Sequence, residues 1–361
     1  MAATIVRQNI CFVLPSFAGG GAERVMVSLA NGLATDSYEV HILLLFGEGP
    51  LRKSVADHIQ IHDLQQPRLS RALFSLRKII KEIQPDILIS TMGYLNLSVL
   101  LLCATLVSPP KVIVREANTV ASTLRRLRYR LLAKIGYKLL YRRAYYILCN
   151  AEHVYSELCS LLPVDSRITI LPNPVNSEYI CKSAQECFKK NVVQPYFVSI
   201  GRITEQKGYE RLLRCFSLVT EPCNLVIIGE GPLKDNLLKS CEDLGILDRV
   251  FFTGFLENPW AVLARSRGLV MTSLWEGFPN VALEALACGV PVLGLETVCG
   301  LRELQTQTIS GAVALYESEV DLANGLSKSI KHPVDFSGLI SLPPQYAIQS
   351  VNEKFQFLLR N

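Results

Sequence analysis

The sequence predicts an α/β protein made of two doubly wound, parallel-sheet domains. Three observations lead there. Continuous apolar runs alternate with amphipathic helical segments, the pattern of strands covered on both faces by helices. The alternation breaks at 176–195, a polar stretch that ends in Gln194-Pro195, and then restarts with the same rhythm. The chain has 361 residues, which suits two cores better than one.

The elements follow in order. NICFVLP (9–15) is a strand, and Val25, Leu29 and Leu33 give the segment from Glu23 to Leu33 a helical spacing. EVHILLLF (39–46) is a strand and RALFSLRKIIKEI (71–83) an amphipathic helix. After the strand DILIS (86–90), the apolar run LNLSVLLLCATLV (95–107) is too short to span a bilayer and is expected as a buried helix. KVIVRE (111–116), a basic helix, AYYILCN (144–150) and RITILPNPV (167–175) complete the first half. YFVSIGR (196–202), NLVIIGEG (224–231), RVFFTGF (249–255), GLVMTS (268–273) and VPVLGL (290–295) are the strands of the second. The expected division is a first domain at 1–175, a linker at 176–195 and a second domain at 196–343. The amphipathic helix near the C-terminus (344–361) is expected to pack back on the first domain. Ligands of such sheets bind at the carboxyl ends of the strands, so a cleft between the two domains is the expected site.

Composition excludes several classes. Net charge is only +5, so the whole molecule is not a polyanion binder, and no basic groove for nucleic acid is visible. The eleven cysteines are scattered, with no C-x-x-C pair and no histidine cluster beside them. Neither a zinc site nor a disulfide framework is expected, and a reducing compartment fits. The N-terminal run lacks the pattern of a secretory signal, and no transmembrane anchor is expected.

Four stretches carry chemistry. FAGGGAERV (17–25) follows the first strand and opens a helix. Gly19, Gly20 and Gly21 either let a ligand or backbone approach closely or form a flexible turn; Arg24 stands where a dinucleotide fingerprint needs glycine. Arg202 and Lys207 follow the first strand of the second domain and are either an anion clamp or ordinary surface charge. A flat base can lie against Gly254 and Phe255, or that turn is merely a turn. In EGFPNVALE (276–284), Pro279 suits a helix edge and Asn280 an N-cap, so Glu276 lies in a loop and Glu284 in the first helical turns. The two glutamates either flank a ligand at the helix start or share a letter by chance.

Taken together, SLWEGFPNVALEALACGVPVLG, GRITEQKG, IIGEGPL and VFFTGF resemble the C-terminal domain of retaining glycosyltransferases of the GT-B fold, family 4. Glu276 and Glu284 match that family's E-x7-E signature. AGGGAERV is similar to its N-terminal glycine loop and LPNPV (171–175) to its hinge. The resemblance implies two Rossmann-like domains and a nucleotide-diphosphate sugar bound mainly to the second. It implies that Arg202 and Lys207 neutralise the diphosphate and that Glu284 holds the ribose. Glu276 and the backbone of Phe278, Pro279 and Asn280 would meet the sugar, with Gly19 to Gly21 near the phosphates. No metal or other cofactor is expected, since two cations can stabilise the leaving group. A front-face attack, with the leaving phosphate taking the acceptor's proton, accounts for the lack of an obvious nucleophile. The first domain would hold the acceptor. Glu116 and Asn118 stand where many relatives carry a histidine, and Tyr94 and Asn96 lie in a second acceptor-side loop. Glu116 either orients the acceptor or pairs with Arg115 or Arg24.

The segment 123–146 carries Arg125, Arg126, Arg128, Arg130, Lys134, Lys138, Arg142 and Arg143 with no acid among them. It is either an element for an anionic membrane surface or a packed helix with a solvated basic face. The combined expectation is a hexosyltransferase on the cytoplasmic face of the membrane. Its donor would be a UDP-sugar, carrying a hexose or N-acetylhexosamine, and its acceptor a lipid-linked glycan in cell-surface polysaccharide synthesis. A soluble transferase with a small or protein-borne acceptor, or a non-catalytic nucleotide-sugar scaffold, are the alternatives; Arg202, Lys207, Glu276 and Glu284 together count against the scaffold.

Overall fold

Apolar runs rich in Ile, Leu and Val become strands, and each is followed by a helix that returns the chain to the start of the next. The structure, a computed structural model, describes residues 7–33, 37–66, 68–126, 130–162, 167–187, 193–333 and 338–360. Seven strands form the first sheet: β1 (Gln8–Ser16), β2 (Tyr38–Phe46), β3 (Gln60–Asp63), β4 (Ile87–Thr91), β5 (Lys111–Glu116), β6 (Tyr146–Cys149) and β7 (Ile168–Ile170). Their order is β3-β2-β1-β4-β5-β6-β7, and every pair is parallel. Six form the second: β8 (Tyr196–Ile200), β9 (Asn224–Ile228), β10 (Val250–Gly254), β11 (Leu269–Met271), β12 (Val292–Leu295) and β13 (Val313–Tyr316). Their order, β10-β9-β8-β11-β12-β13, repeats the same winding, again all parallel. Two Rossmann-like doubly wound sheets are therefore present, as expected. The edge strands β3 and β13 escaped the sequence reading. Each has four residues, and β3 (QIHD) is half-exposed and polar, so no apolar run marks it.

The chain divides into two compact units. One holds Met1–Pro174 and Gln349–Asn361, the other Val175–Ile348. The polar stretch at 176–195 is more than a linker. It contains a helix, Ser177–Ala184, whose start is capped where Tyr179 N donates to Asn176 Oδ1 at 3.0 Å. That helix packs on helices Trp260–Leu263 and Asn280–Ala287 and belongs to the second unit. Sequence polarity hid it because only one face is buried.

In the first unit, Ile10, Phe12 and Leu14 of β1 and Ile42 and Leu44 of β2 point to one face of the sheet. Helix Gly21–Leu33 covers that face with Val25, Leu29 and Leu33. The C-terminal helix, Ile348–Arg360, adds Val351, Phe355, Leu358 and Leu359 to the same core. Phe355 meets Phe12 edge-on, with ring centroids 6.3 Å apart, and Gln356 Nε2 donates to Gly32 O at 3.1 Å. The apolar run at 95–107 becomes helix Gly93–Cys103, and among the described residues no helix is long and apolar enough to cross a membrane. Phe355→Ala removes a side chain with no solvent exposure; it should cost ~3–5 kcal/mol, read as a lower urea midpoint with an unchanged slope.

Candidate functional site

The strand order of the second sheet reverses between β8 and β11, so the loops after these two strands leave in opposite directions and a crevice opens between them. Those loops are residues 201–208 and 272–279, the two stretches richest in candidate site residues. Backbone and side-chain bonds knit them together. Leu274 N donates to Gln206 O at 2.8 Å, and Gln206 Nε2 to Trp275 O at 3.1 Å. Thr272 Oγ1 donates to Gly208 O at 2.9 Å. Gly208 is left-handed (φ +61°), and a Cβ there would lie 2.2 Å from Thr272 O. Only glycine allows this turn and this approach.

Across the join, Lys207 Nζ donates to Glu276 Oε1 at 2.6 Å. Glu276 is only 7% exposed. The lysine lies at the end of a single 3-10 turn, Glu205–Lys207, and its stem crosses Gly201, where a Cβ would meet Cε at 2.7 Å. Tyr209 OH donates to Gly201 O at 3.0 Å and fixes the start of the loop. A half-buried ion pair of this kind is costly to break on one side only. Arg202, in the same loop as Lys207, is exposed and makes no ion pair among the described residues. The sequence reading put Lys207 in the loop after the first strand of the second domain and Glu276 in a loop before a helix; the structure puts them in direct contact.

A third loop supports the first. Gly229 and Gly231 follow β9, and Cβ atoms there would lie 2.0 Å from Gly201 O and 2.2 Å from Ile203 O. Ile203 N donates to Glu230 O at 2.8 Å, and Gly229 N to Gly254 O at 2.9 Å. Gly254 has φ +79° and turns the chain so that Phe255 projects outward, 46% exposed. Glu230, a residue the sequence reading passed over, stands beside this turn with Oε1 3.5 Å from Phe255 N.

Glu284 lies on helix Asn280–Ala287, as expected, but the cap differs: Pro279 occupies the cap position and Asn280 is the first helical residue. Pro279 has no side-chain group to cap the helix start. Proline serves there because its fixed φ suits a helix edge. Trp260 Nε1 donates to Glu284 Oε2 at 2.9 Å. Tyr179 meets Trp260 edge-on at 5.6 Å. Trp260 was missed by sequence reasoning, and a tryptophan directly after Pro259 carries no local sign of its partner. Phe278 is buried and stacks on Tyr346 at 5.3 Å, so its side chain is core and only its backbone faces the loop. Pro279 packs against Gly300.

In the first unit the candidates separate. Gly19 has φ +89° and Gly21 opens its helix. Tyr94 is 37% exposed and Asn118 half-buried, so both can meet solvent. Glu116 and Asn96 cannot, at 1% and 0% exposure, which corrects their assignment to acceptor contact. Asn96 Nδ2 donates to Glu116 Oε1 at 3.0 Å, Tyr137 OH to the same oxygen at 3.4 Å, and Tyr141 OH also donates to it. Neither Arg115 nor Arg24 makes a close ion pair with Glu116 among the described residues, although the Glu116 charge acts on Arg115 beside it. Burial pushes the Glu116 carboxyl up to about 7, against the opposing pull of its three donors. Arg115, also fully buried, donates to Asn173 Oδ1 in the LPNPV turn.

The basic segment forms helices Val120–Arg126 and Arg130–Leu140. Arg128 and the side chain of Arg126 lie outside the described residues. Arg125, Arg130, Lys134 and Lys138 are exposed, and so are Leu131, Leu132, Ile135 and Leu139. Only Tyr137 of the second helix is buried. The second helix packs through Tyr137 and also shows solvent a basic and apolar edge. Among the described residues no three His, Cys, Asp or Glu side chains gather to hold a metal. Gly229→Ala should lower the melting temperature and weaken the site together, since its Cβ would collide with the Gly201 carbonyl; thermal melting and ligand titration of one sample check both.

Comparison with known proteins fits this geometry. The family model described as Glycosyltransferase Family 4 matches residues 19–179, and that described as Glycosyl transferases group 1 matches 183–337. The chain is 26% identical over 336 residues to a Campylobacter jejuni N-acetylgalactosamine-N,N'-diacetylbacillosaminyl-diphospho-undecaprenol 4-alpha-N-acetylgalactosaminyltransferase, covering 90% of each chain. It is 29% identical over 257 residues to an uncharacterised glycosyltransferase of Methanocaldococcus jannaschii; that match takes in 66% of this chain and 62% of the relative. HepE of Anabaena, solved with UDP-glucose, superposes with a TM-score of 0.78 at 16% identity, covering 98% of this chain and 100% of HepE. At that identity the likeness speaks for the fold.

Proposed function

This chain belongs to glycosyltransferase family 4, the group 1 glycosyl transferases, and is a hexosyltransferase of GT-B fold; on that premise we propose the substrates and the course of its reaction. It moves a hexose or N-acetylhexosamine from a UDP-sugar to a lipid-linked glycan and retains the anomeric configuration. The observation that carries this reading is the Lys207–Glu276 contact at the switch point of the second sheet, with Arg202 exposed in the same loop as the lysine.

The chemistry follows from charge. As the bond from the sugar's anomeric carbon to the phosphate oxygen breaks, negative charge grows on the nucleoside diphosphate. Arg202 and Lys207 are placed to stabilise that charge without a metal, because Glu276 holds the lysine in place before the donor arrives. Glu276 keeps a second oxygen for the sugar. Glu284, steadied by Trp260, accepts from the ribose hydroxyls, and the base lies along Gly254 and Phe255. The acceptor hydroxyl attacks the same face that the phosphate leaves, and its proton passes to the departing phosphate oxygen. No protein nucleophile is needed for retention by that route.

The donor is supported by HepE, which was solved with UDP-glucose, and the acceptor by the Campylobacter relative, whose name specifies a diphospho-undecaprenol carrier. A lipid carrier places the reaction at a membrane. Arg125, Arg130 and Lys134 beside Leu131, Leu132, Ile135 and Leu139 supply charge and apolar surface for peripheral attachment to an anionic, cytoplasmic leaflet.

Two experiments test this. In transfer and hydrolysis assays over a panel of UDP-sugars, Lys207→Ala and Glu276→Ala should each lower kcat/KM by ~100- to 1,000-fold, and EDTA should leave the native rate unchanged. Full activity in both variants overturns the site assignment. Sedimentation with phosphatidylglycerol vesicles should fall when Arg125, Arg126, Arg128 and Arg130 become Glu, and should weaken with added salt. Binding that ignores both changes, or no binding by the native protein, sinks the membrane reading.

A further inference from the structure

The basic segment contains no acid of its own between Val120 and Arg143, yet two carboxylates hold it, both from elsewhere in the fold. Glu157, on helix Glu152–Leu161, accepts from Val120 N and Ala121 N at 2.7 Å each and so caps the start of the first basic helix. Glu116, at the end of β5, accepts from Tyr137 and Tyr141 near the far end. Tyr137 lies on helix Arg130–Leu140 and Tyr141 opens the 3-10 turn Tyr141–Arg143 that follows it, and their rings lie 4.6 Å apart beside the one carboxylate. At 100° per residue, Leu131, Leu132, Ile135 and Leu139 fall on the opposite side, and all four are exposed. The same helix is therefore gripped by one edge and unsatisfied along the other.

We propose that Glu116 is a clasp. Through Tyr137 and Tyr141 it holds helix Arg130–Leu140 on the sheet, and its release lets the helix leave the sheet and carry its already exposed apolar edge into a lipid surface while Glu157 keeps the Val120 end tethered. The purpose of the release rests on the membrane reading above; the clasp itself does not. Glu116 is thus a positioning residue, and the basic helix is a movable docking element.

The surroundings of Glu116 decide what opens it. Asn96 faces it from helix Gly93–Cys103, Tyr137 and Tyr141 from the basic segment, and Cys149 from the paired position on β6. Arg115 precedes it on β5, and Glu157 adds a like charge that disfavours ionisation. Arg115 stays charged at neutral pH, being lowered only to about 10, while burial pushes Cys149 up to about 12 and both tyrosines upward. Glu116 is therefore the group in this cluster that titrates near neutrality. With the helix clasped, its carboxyl is raised to about 7; with the helix released, water returns it to the ordinary carboxylate range. The clasped state binds the proton more tightly. Clasping is strongest below the ordinary carboxylate value, weakens as pH rises, and levels off above about 7. Within that window the opening constant should rise by up to ~10-fold per pH unit.

Hydrogen exchange of the full chain without lipid tests the clasp. After correction for the chemical exchange rate, the opening constant of residues 130–143 should rise by at least ~10-fold from pH 5 to pH 7 in the native protein. It should be flat in Glu116→Gln, which keeps an acceptor but cannot ionise. Tyr141→Phe, which preserves the ring, should open more at every pH. A flat native profile, or an undiminished slope in Glu116→Gln, overturns the proposal. Vesicles of phosphatidylcholine and phosphatidylglycerol test the purpose. Native binding should be tighter at pH 8 than at pH 6, and Glu116→Gln should bind equally at both. If native binding is present but indifferent to pH while the exchange slope persists, the link from clasp to membrane is wrong. If the native protein binds no vesicles, the membrane reading fails, and the exchange slope still decides the clasp.

Discussion

In a parallel sheet every strand must be re-entered from the same end, so every loop that follows a strand gathers at one edge. Both sheets obey this constraint, and the chemistry of the molecule collects accordingly. In the second unit the strand order reverses between β8 and β11, and Lys207 and Glu276 meet there although 69 residues separate them. The glycines at 208, 229 and 231 let those loops touch, since a Cβ at each would lie under 3 Å from a neighbouring loop's backbone oxygen, and Gly201 leaves room for the Lys207 stem within its own loop. Hydrogen bonds between these loops hold the Lys207–Glu276 pair in place, and fixed positioning is what electrostatic stabilisation of a leaving group requires.

Three glutamates show how the same side chain acquires different tasks. Glu276 is held by a cation, Glu284 by an indole N–H, and Glu116 by two phenols and an amide. The first two lie at a loop and a helix beside the switch point and can meet a ligand. The third is sealed inside, where charge is expensive, so its ionisation is coupled to the helix that seals it. Membership of a glycosyltransferase family gives no hint of that third role.

Much of the fold was legible. Apolar runs of five to nine residues marked the buried central strands, because both faces of those strands need hydrophobic side chains. The edge strand β3 (QIHD) was not legible, since solvent accepts polar residues on an edge, and β13 (VALY), though apolar, has only four residues. Helix Ser177–Ala184 was hidden in a stretch whose mean polarity suggested a linker. Trp260 gave no local sign of Glu284, and Tyr137 and Tyr141 looked like part of an amphipathic pattern rather than partners of a carboxylate.

The sequence by itself determined the winding of both sheets and the family. It also marked the loop and helix-end positions of the second unit, because glycines, a proline and charged groups there are local requirements of turns and helix ends. Only the tertiary structure decided which of those groups touch. It joined Lys207 to Glu276, turned Phe278 inward, and withdrew Glu116 and Asn96 from solvent beneath the basic helix. Burial and pairing depend on what the rest of the chain brings alongside, and spacing along the chain carries no record of that.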